Sequence, residues 1–456
     1  MQEIIQSFFK ARSLVNHQLA SYNDCIPAGD STISRMEKII RNIRVGTDEE
    51  IVDDEGGYIK LDVVDQEIVI RLKDIQLGKP TIREANGANM DSTPMECRLR
   101  KLTYMSPVSI NFQIYRAGIP SPLEESVQVG SMPIMIRSRR CNLHPEHIIN
   151  DRVLDPTTSS EDAEMWKDLL RKKGEDPLDP GGYFIINGTE RVLISMEDLA
   201  PNRVTVEINK RSVKKTEVAK IFSQKDGMRK PLTVEKRRDG MLMVKISTVG
   251  TTPIPVVLLM RALGIENDQE VFQAIAGPTE TFKYIVANIN EVNDNEEYAV
   301  NNTLESHEWL QKKFAAGQQR EYREARVNQL LDRELLPHLG DQTEDRKKKA
   351  IFLGRIVRQV LEMAMTDREP NDKDHYANKR VRLAGDLIED LFRVSSGQLA
   401  RDLKYQLERH HNRKRELKIT SCLRPDVLTS KIMHALATGN WVGGRSVVSQ
   451  LLDRTT

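Results

Sequence analysis

The chain has 456 residues, 39% of them hydrophobic and 30% charged, enough for real cores under a large polar surface and, by length, about three domains. Its 68 Lys and Arg against 67 Asp and Glu leave a net charge of +1, which excludes a uniformly basic nucleic-acid-binding domain and requires any such contact to come from local patterning. Cys25, Cys97, Cys141 and Cys422 form no CxxC pair, so neither a zinc ribbon nor a disulfide framework is indicated.

The N-terminus carries charge throughout and lacks the apolar core of a signal peptide, and no apolar run approaches the roughly 18 residues of a membrane span. The expectation is a soluble, cytoplasmic protein. Ile4, Ile5, Phe8, Phe9, Leu14, Val15 and Leu19 recur at near-helical spacing and predict a helix over 3–22, stopped by Asn23 and Asp24. From Gly57 to Ile136 the pattern turns to strands: Tyr58–Leu61, Ile68–Ile70, Val108–Phe112 and Pro133–Ile136, separated by Gly, Pro and Asn turns. Residues 160–173 read as a short amphipathic helix capped by Ser160 ahead of Glu161 and Asp162.

Residues 182–249 favour strands again, and 255–316 become helical. Between Ile285 and His307 stand five acidic residues and no Lys or Arg. Two further helices are expected at 318–338 and 345–366, the second with a stripe of Ile351, Phe352, Ile356, Val357, Val360 and Leu361. Others cover 379–393 and 396–412. Alternating strand-rich and helix-rich blocks, without an internal repeat, argue for several α+β modules.

No self-sufficient active site emerges. The glycine pairs at 56–57, 181–182 and 443–444 belong to no GxxxxGK[ST] or GxGxxG loop. There is no HExxH, and His410 and His411 leave a helix about 100° apart, poorly placed for one metal. Asp372, Asp374 and His375 have two readings, a cation site or a polar turn capping a helix over 380–393, and capping is the simpler. Ser446 and Ser449 have no nearby His to activate them.

The last 56 residues stand apart. From Arg401 to Thr456 there are eleven Lys and Arg against five Asp and Glu, on a chain that is nearly neutral overall. His410–Arg415 is a compact basic cluster, and Trp441-Val442-Gly443-Gly444-Arg445 joins one aromatic and one guanidinium through glycine-rich backbone. That combination suits contact with a phosphodiester backbone. A solvated helix face followed by a surface turn explains the same residues without a ligand.

Asp179-Pro180-Gly181-Gly182-Tyr183-Phe184-Ile185-Ile186-Asn187-Gly188-Thr189-Glu190-Arg191-Val192-Leu193-Ile194-Ser195 is physically a β-hairpin, two apolar strands around an Asn-Gly turn. It also closely resembles the GGYFIINGxExV signature of the second-largest subunits of multi-subunit RNA polymerases. Gly78–Ile82, Pro94–Arg100 with Leu102–Tyr104, Pro133–Ser138, Pro253–Val256 with Arg261–Ile265, Asp372–Arg380, Ala435–Trp441 and Ser449–Arg454 resemble further family segments in the family's order. The wording is closest to archaeal examples, in which this subunit is in some cases split into two polypeptides, and the chain resembles the upstream one.

The resemblance implies an α+β, multi-domain chain: a protrusion whose first segment is 1–195, a lobe at 196–333, a returning protrusion segment at 334–400 and an incomplete fork at 401–456. It implies a non-catalytic half-subunit on one side of the DNA cleft, contacting DNA and the RNA–DNA hybrid. His410–Arg415 would be one fork loop and Trp441–Arg445 the other, with Ser449, Gln450 and Asp453 beside the hybrid. The nucleic-acid-binding set so implied is His410, Arg413, Lys414, Arg415, Lys431, Trp441, Arg445, Gln450, Asp453 and Arg454. No NADFDGD-like motif occurs, so the expectation is no cofactor in this chain, with Mg²⁺ held by the largest subunit, and no activity by the chain alone. Implied partners are the DNA template and hybrid, the downstream half of the same subunit, the largest subunit, other polymerase subunits and transcription factors. Two rival readings are an independent interaction protein built on the same folds and an autonomous enzyme, the latter disfavoured by the missing site.

Overall fold

A computed structural model describes residues 4–5, 7–8, 14–27, 32–46, 56–61, 67–121, 124–145, 160–209, 216–247, 252–277, 279–295, 297–315, 317, 319–366, 368–415 and 417–453. The chain forms two compact units, one from Met1–Met196 with Val381–Thr456, the other from Glu197–Arg380. Both combine largely antiparallel sheet with packed helices, the α+β class expected; in the first unit, among the described residues, Arg44–Val45 alone pairs parallel, with Tyr58 and Ile59.

In the first unit the helix expected over 3–22 is helical at 4–5 and 7–8, turns at Leu14 and Val15, and resumes as α1 (Asn16–Cys25). Phe9 lies outside the described residues. Asn23 and Asp24 do not stop α1; it ends at Ile26, extended because Pro27 follows. Next come α2 (Arg35–Arg41), β1 (Gly57–Leu61), β2 (Ile68–Leu77), α3 (Pro94–Leu99), β3 (Met105–Arg116) and β4 (Glu125–Pro133). β1, β2, β3 and β4 pair antiparallel in that order, with Ile59 opposite Ile70, Ile70 opposite Ile114 and Ile110 opposite Val127. Along β3 every second residue, Ser106, Val108, Ile110, Phe112 and Ile114, is buried, as the period of a strand dictates. The strand expected at Pro133–Ile136 instead ends at Pro133, and Arg137 beyond it adopts a left-handed φ of 69°. α4 (Ser160–Lys172) lies where expected; the proposed capping side chain of Ser160 is outside the described residues.

The signature hairpin is present as β5 (Phe184–Ile186) and β6 (Thr189–Leu193), with Ile186 opposite Thr189. Asn187 (φ 51°) and Gly188 (φ 78°) are both left-handed, the turn that two-residue hairpins require.

The second unit is a five-stranded antiparallel sheet in sequence order, β7 (Val204–Asn209), β8 (Thr216–Lys225), β9 (Met228–Lys236), β10 (Leu242–Ile246) and β11 (Ile254–Pro255). Around it lie α5 (Val256–Ala262), α6 (Asp268–Ile275), α7 (Phe282–Asp294), α8 (Thr303–Phe314), α9 (Arg320–Gln329) and α10 (Arg346–Met365). The helix expected to reach 338 passes into a π-turn at Leu330–Glu334 and stops, since Leu336 precedes Pro337 and adopts φ 45°. Residues 334–380 stand in this unit and not with the first: Leu353, Ile356, Val357, Val360 and Leu361 of α10 enter the same core as Val206, Ile221 and Val244. The expected boundary at 333 therefore moves to 380.

The chain re-enters the first unit as α11 (Ala384–Asn412), followed by α12 (Asp426–Thr438) and β12 (Ser449–Leu451). The two helices expected at 379–393 and 396–412 are one. Residues 379–382 are a strand, and the helix begins when the Asp386 carboxylate accepts the Leu383 N–H at 2.9 Å. α11 buries Leu387, Ile388, Leu391, Leu399, Leu403 and Leu407, a stripe at helical spacing, in the core shared with α1 and β1–β4. Residues 401–453 do not form a core of their own.

Candidate nucleic-acid interface

The basic cluster at 410–415 is a helix terminus, not a free loop. The Arg413, Lys414 and Arg415 N–H groups donate to the carbonyls of His410 (3.2 Å), His411 (2.8 Å) and His410 (3.1 Å), capping the end of α11. This closure places Lys414 at φ 54°, where glycine is usual. Arg413, Lys414 and Arg415 are exposed and His410 is half-buried. Part of their placement has a local cause, because cations beside the negative end of a helix are favoured by about 0.3–1 kcal/mol. Three exposed cations on one cap nevertheless make a concentrated positive point.

The glycine-rich segment is equally ordered. Gly443 (φ 81°) and Gly444 (φ 74°) turn the chain so that Trp441 and Arg445 pair as an antiparallel bridge, with the Trp441 N–H donating to the Arg445 carbonyl at 2.8 Å. Trp441 is 6% exposed and its Nε1 donates to the Leu387 carbonyl at 2.9 Å. It is a core residue, so its assignment as a nucleic-acid-binding aromatic is corrected: a buried indole offers no face to a base. Lys431 is half-buried and its Nζ donates to Gln398 Oε1 at 2.6 Å, fastening α12 to α11. Arg445 is half-buried at the turn, and Gln450 and Asp453 are exposed; Arg454 lies outside the described residues. Ser449 is buried, its Oγ donating to the Leu436 carbonyl at 2.7 Å.

Tertiary structure gives this segment a neighbour that spacing did not reveal. β12 adds to the signature hairpin, with Leu451 opposite Arg191, Gln450 opposite Val192 and Ser449 opposite Leu193. The strongest motif and the C-terminal segment thus share one three-stranded sheet.

The candidate residues do not converge on one patch. α12 runs antiparallel to α11: Arg424 pairs with Asp402, Lys431 with Gln398, and Trp441 with Leu387. Leu387 and His410 are 23 positions apart on a single helix, which at about 1.5 Å per residue is roughly 35 Å. One point of positive charge caps the far end of α11, and Arg445 with Gln450 stands near the other end.

A residue that charge counting missed is Arg98. Its guanidinium reaches Glu190 (2.8 Å), Glu175 (3.2 Å) and the Tyr183 hydroxyl (2.5 Å), and Tyr183 donates to the Asp179 carboxylate. Burial opposes the guanidinium charge, but Tyr183, Glu175 and Glu190 overcome it and raise the Arg98 pKa. Burial, then Asp179, raises that of the Tyr183 hydroxyl. This network ties the segment 94–100 to the hairpin, and the available signal was that both had been singled out. It is a clamp, not a reaction centre.

The segment 372–380 is the polar turn: the Asp374 N–H donates to Asp372 Oδ1 (2.8 Å) and the Ala377 N–H to His375 Nδ1 (3.1 Å). It leads into a strand, so the expected helix capping at 380 is corrected. Among the described residues no group of three or more His, Cys, Asp or Glu could hold a metal ion, and no helix is long and apolar enough to cross a membrane.

Comparison with known proteins bears on these same segments. A family model described as RNA polymerase Rpb2, domain 2, matches residues 200–382, and one described as RNA polymerase beta subunit matches residues 13–151. The chain is 42% identical to the DNA-directed RNA polymerase subunit Rpo2N of Methanocaldococcus jannaschii, covering 100% of this chain and 84% of that one. It is 40% identical to Rpo2N of Halobacterium salinarum, covering 100% and 80%. Against the longer subunit Rpo2 of Saccharolobus solfataricus it is 40% identical over 99% of this chain and 36% of that one.

Proposed function

The chain belongs to the family of second-largest RNA polymerase subunits, as the N-terminal half of the archaeal form and thus a subunit of DNA-directed RNA polymerase, and from that premise we propose that it lines one side of the DNA cleft and contacts DNA and the RNA–DNA hybrid. In this reading the first unit holds the protrusion and fork functions and the second unit is the lobe. The chain holds no catalytic group of its own; the Mg²⁺ that drives nucleotidyl transfer belongs to the largest subunit. Its partners are the downstream half of the same subunit, the largest subunit, the other polymerase subunits and transcription factors, in the cytoplasm.

The observation that carries the contact is the spacing of cations at the two ends of α11, exposed Arg413, Lys414 and Arg415 at one and half-buried Arg445 near the other. Roughly 35 Å is about one turn, or ten base pairs, of duplex. Arg413–Arg415 and Arg445 are therefore spaced to meet phosphates on the same side of one helix, one turn apart. Such contacts position the nucleic acid without reading its sequence.

The test is a polymerase assembled with Arg413→Ala/Arg415→Ala or with Arg445→Ala on a DNA–RNA scaffold, its dissociation followed against salt. Each lost phosphate contact should lower the log–log salt slope by about 0.7–0.9 and shorten the life of the complex, whatever the base sequence. Unchanged slopes in both variants would overturn the proposal. A normal slope with a lower melting temperature in Arg445→Ala would assign that residue to holding the turn.

A further inference from the structure

The shaft of α11, between its two ends, carries a ridge of side chains that the contacts proposed above do not use. The helix buries Leu399, Leu403 and Leu407 in the core. The residues turned furthest from that stripe are Arg401, Tyr405 and Arg409, one every four positions. Such a set drifts by only about 40° per step and forms one ridge, about 12 Å long from Arg401 to Arg409. Both arginines are exposed, and Tyr405 stands 60% exposed between them.

The carboxylates on this stretch are already engaged elsewhere. Asp402 accepts from Arg424 Nε at 2.9 Å, and Glu408 pairs with Lys404 at 3.6 Å. Surface helices commonly balance their charge through i,i+4 pairs of opposite sign, and Lys404–Glu408 is one. Arg401 and Arg409 stand outside any such pair: neither has an ion-pair partner among the described residues. The Tyr405 side chain likewise makes no hydrogen bond or ring contact among the described residues. The ridge is therefore positive, with a free aromatic face at its centre.

Unpaired cations bracketing an exposed ring suit an unpaired nucleic-acid strand. Guanidinium groups meet its phosphates whatever the sequence, and a base freed from its neighbours stacks on the ring. A duplex would use the cations alone, because its bases already stack on each other. An acidic peptide would also use the cations and has no need of a flat aromatic face. We infer that the shaft of α11 binds single-stranded DNA or RNA, with Arg401 and Arg409 on phosphates and a base stacked on Tyr405. The inference goes beyond the contacts proposed for the two ends of the helix, which concern paired nucleic acid and other residues.

The experiment titrates the full chain with labelled oligodeoxythymidine, oligouridine and a DNA duplex of equal length, read by fluorescence anisotropy over a range of salt. The variants are Tyr405→Leu, Tyr405→Phe and Arg401→Gln/Arg409→Gln. All alter exposed side chains, and unchanged melting establishes that they fold. Tyr405→Leu should weaken strand binding about five-fold, equivalent to about 1 kcal/mol, and leave duplex binding unchanged, while Tyr405→Phe keeps the parent affinity. The arginine pair should lower the log–log salt slope for a strand by about 1.4, about 0.7 for each lost contact. The tighter of the two oligonucleotides assigns the strand to DNA or to RNA, and either supports the proposal. Strand affinity unchanged in Tyr405→Leu, or lost equally in Tyr405→Phe, would overturn it. So would polyglutamate that displaces the strand and weakens in the same variants, which would assign the face to an acidic protein. The salt slopes of the Arg413, Arg415 and Arg445 variants are read on a paired scaffold, so the contacts at the helix ends stand or fall separately.

Discussion

Gly188→Val is the sharpest test of how the first unit is held together. Gly188 adopts φ 78°, and a Cβ built there would lie 2.7 Å from Lys101 Cα and 3.2 Å from the Arg98 carbonyl. Two costs combine. Forcing an L-residue into the left-handed region costs about 1–2 kcal/mol, more for a β-branched one. The close contact is with backbone, so relief requires the hairpin to move off α3, an overpacking cost of about 1–3 kcal/mol. Movement is resisted because the Gly188 N–H donates to the Leu102 carbonyl (2.9 Å) and the Asn187 N–H to Thr103 Oγ1 (3.0 Å), while Arg98 clamps Glu190. The expected loss is about 2–5 kcal/mol, or roughly 2–4 °C in melting temperature per kcal/mol for a unit of this size. In a Trp309→Phe background the remaining tryptophans, Trp166 and Trp441, both lie in the first unit, so urea unfolding followed by fluorescence reads that unit. Gly188→Ala should lie close to Val, whereas Gly188→Asn should recover the torsional part, since Asn tolerates left-handed φ. Equal midpoints for wild type and Gly188→Val would refute the argument. Asn as damaging as Val would show that the clash alone decides.

Lys414→Gly relieves the left-handed strain at the α11 cap and should stabilise the first unit by up to about 1 kcal/mol, while in the assembled polymerase the salt slope falls by about 0.7–0.9; a stabilised variant with the parent slope would leave Lys414 only a structural residue. Trp441→Ala should cost about 3–5 kcal/mol in urea unfolding, as expected for a buried indole, and a variant as stable as wild type would contradict its place in the core. Lys349 is fully buried, its Nζ donating to the Leu331 carbonyl at 3.0 Å, and burial pushes its pKa down from 10.5 to about 8. Between those values the unfolded chain binds a proton that the folded one does not. Stability of the second unit, read through Trp309, should therefore rise with pH across that window, and a Lys349→Met variant that keeps the same rise would refute the assignment.

Local chemistry was legible where one residue pattern has one low-energy solution. Asn187-Gly188 between apolar strands could hardly be other than a two-residue hairpin, because both positions require positive φ. The alternation in β3 and the part of the α10 stripe at Ile356, Val357, Val360 and Leu361 likewise follow from side-chain period alone, whereas Ile351, expected in that stripe, is exposed and Leu353 is buried instead. Family membership was legible too, since it rests on residue identity in order along the chain. Three things were not. The gap left at 394–395 between the helices expected at 379–393 and 396–412 does not exist, because α11 runs through it, with Ser395 Oγ donating to the Leu391 carbonyl (2.7 Å) and the flanking leucines buried. α10 carries an apolar stripe that would suit either core, and its packing on β8 and β9 placed it in the second unit. The basic residues of the last segment look contiguous because sequence distance is short. A rigid helix converts 23 positions into roughly 35 Å, and the strand that follows pairs with a hairpin some 250 residues earlier. Periodicity and turn chemistry act over a few residues and are written in the sequence. Which distant apolar faces meet depends on the free energy of burying all of them together, and only the folded chain settles it.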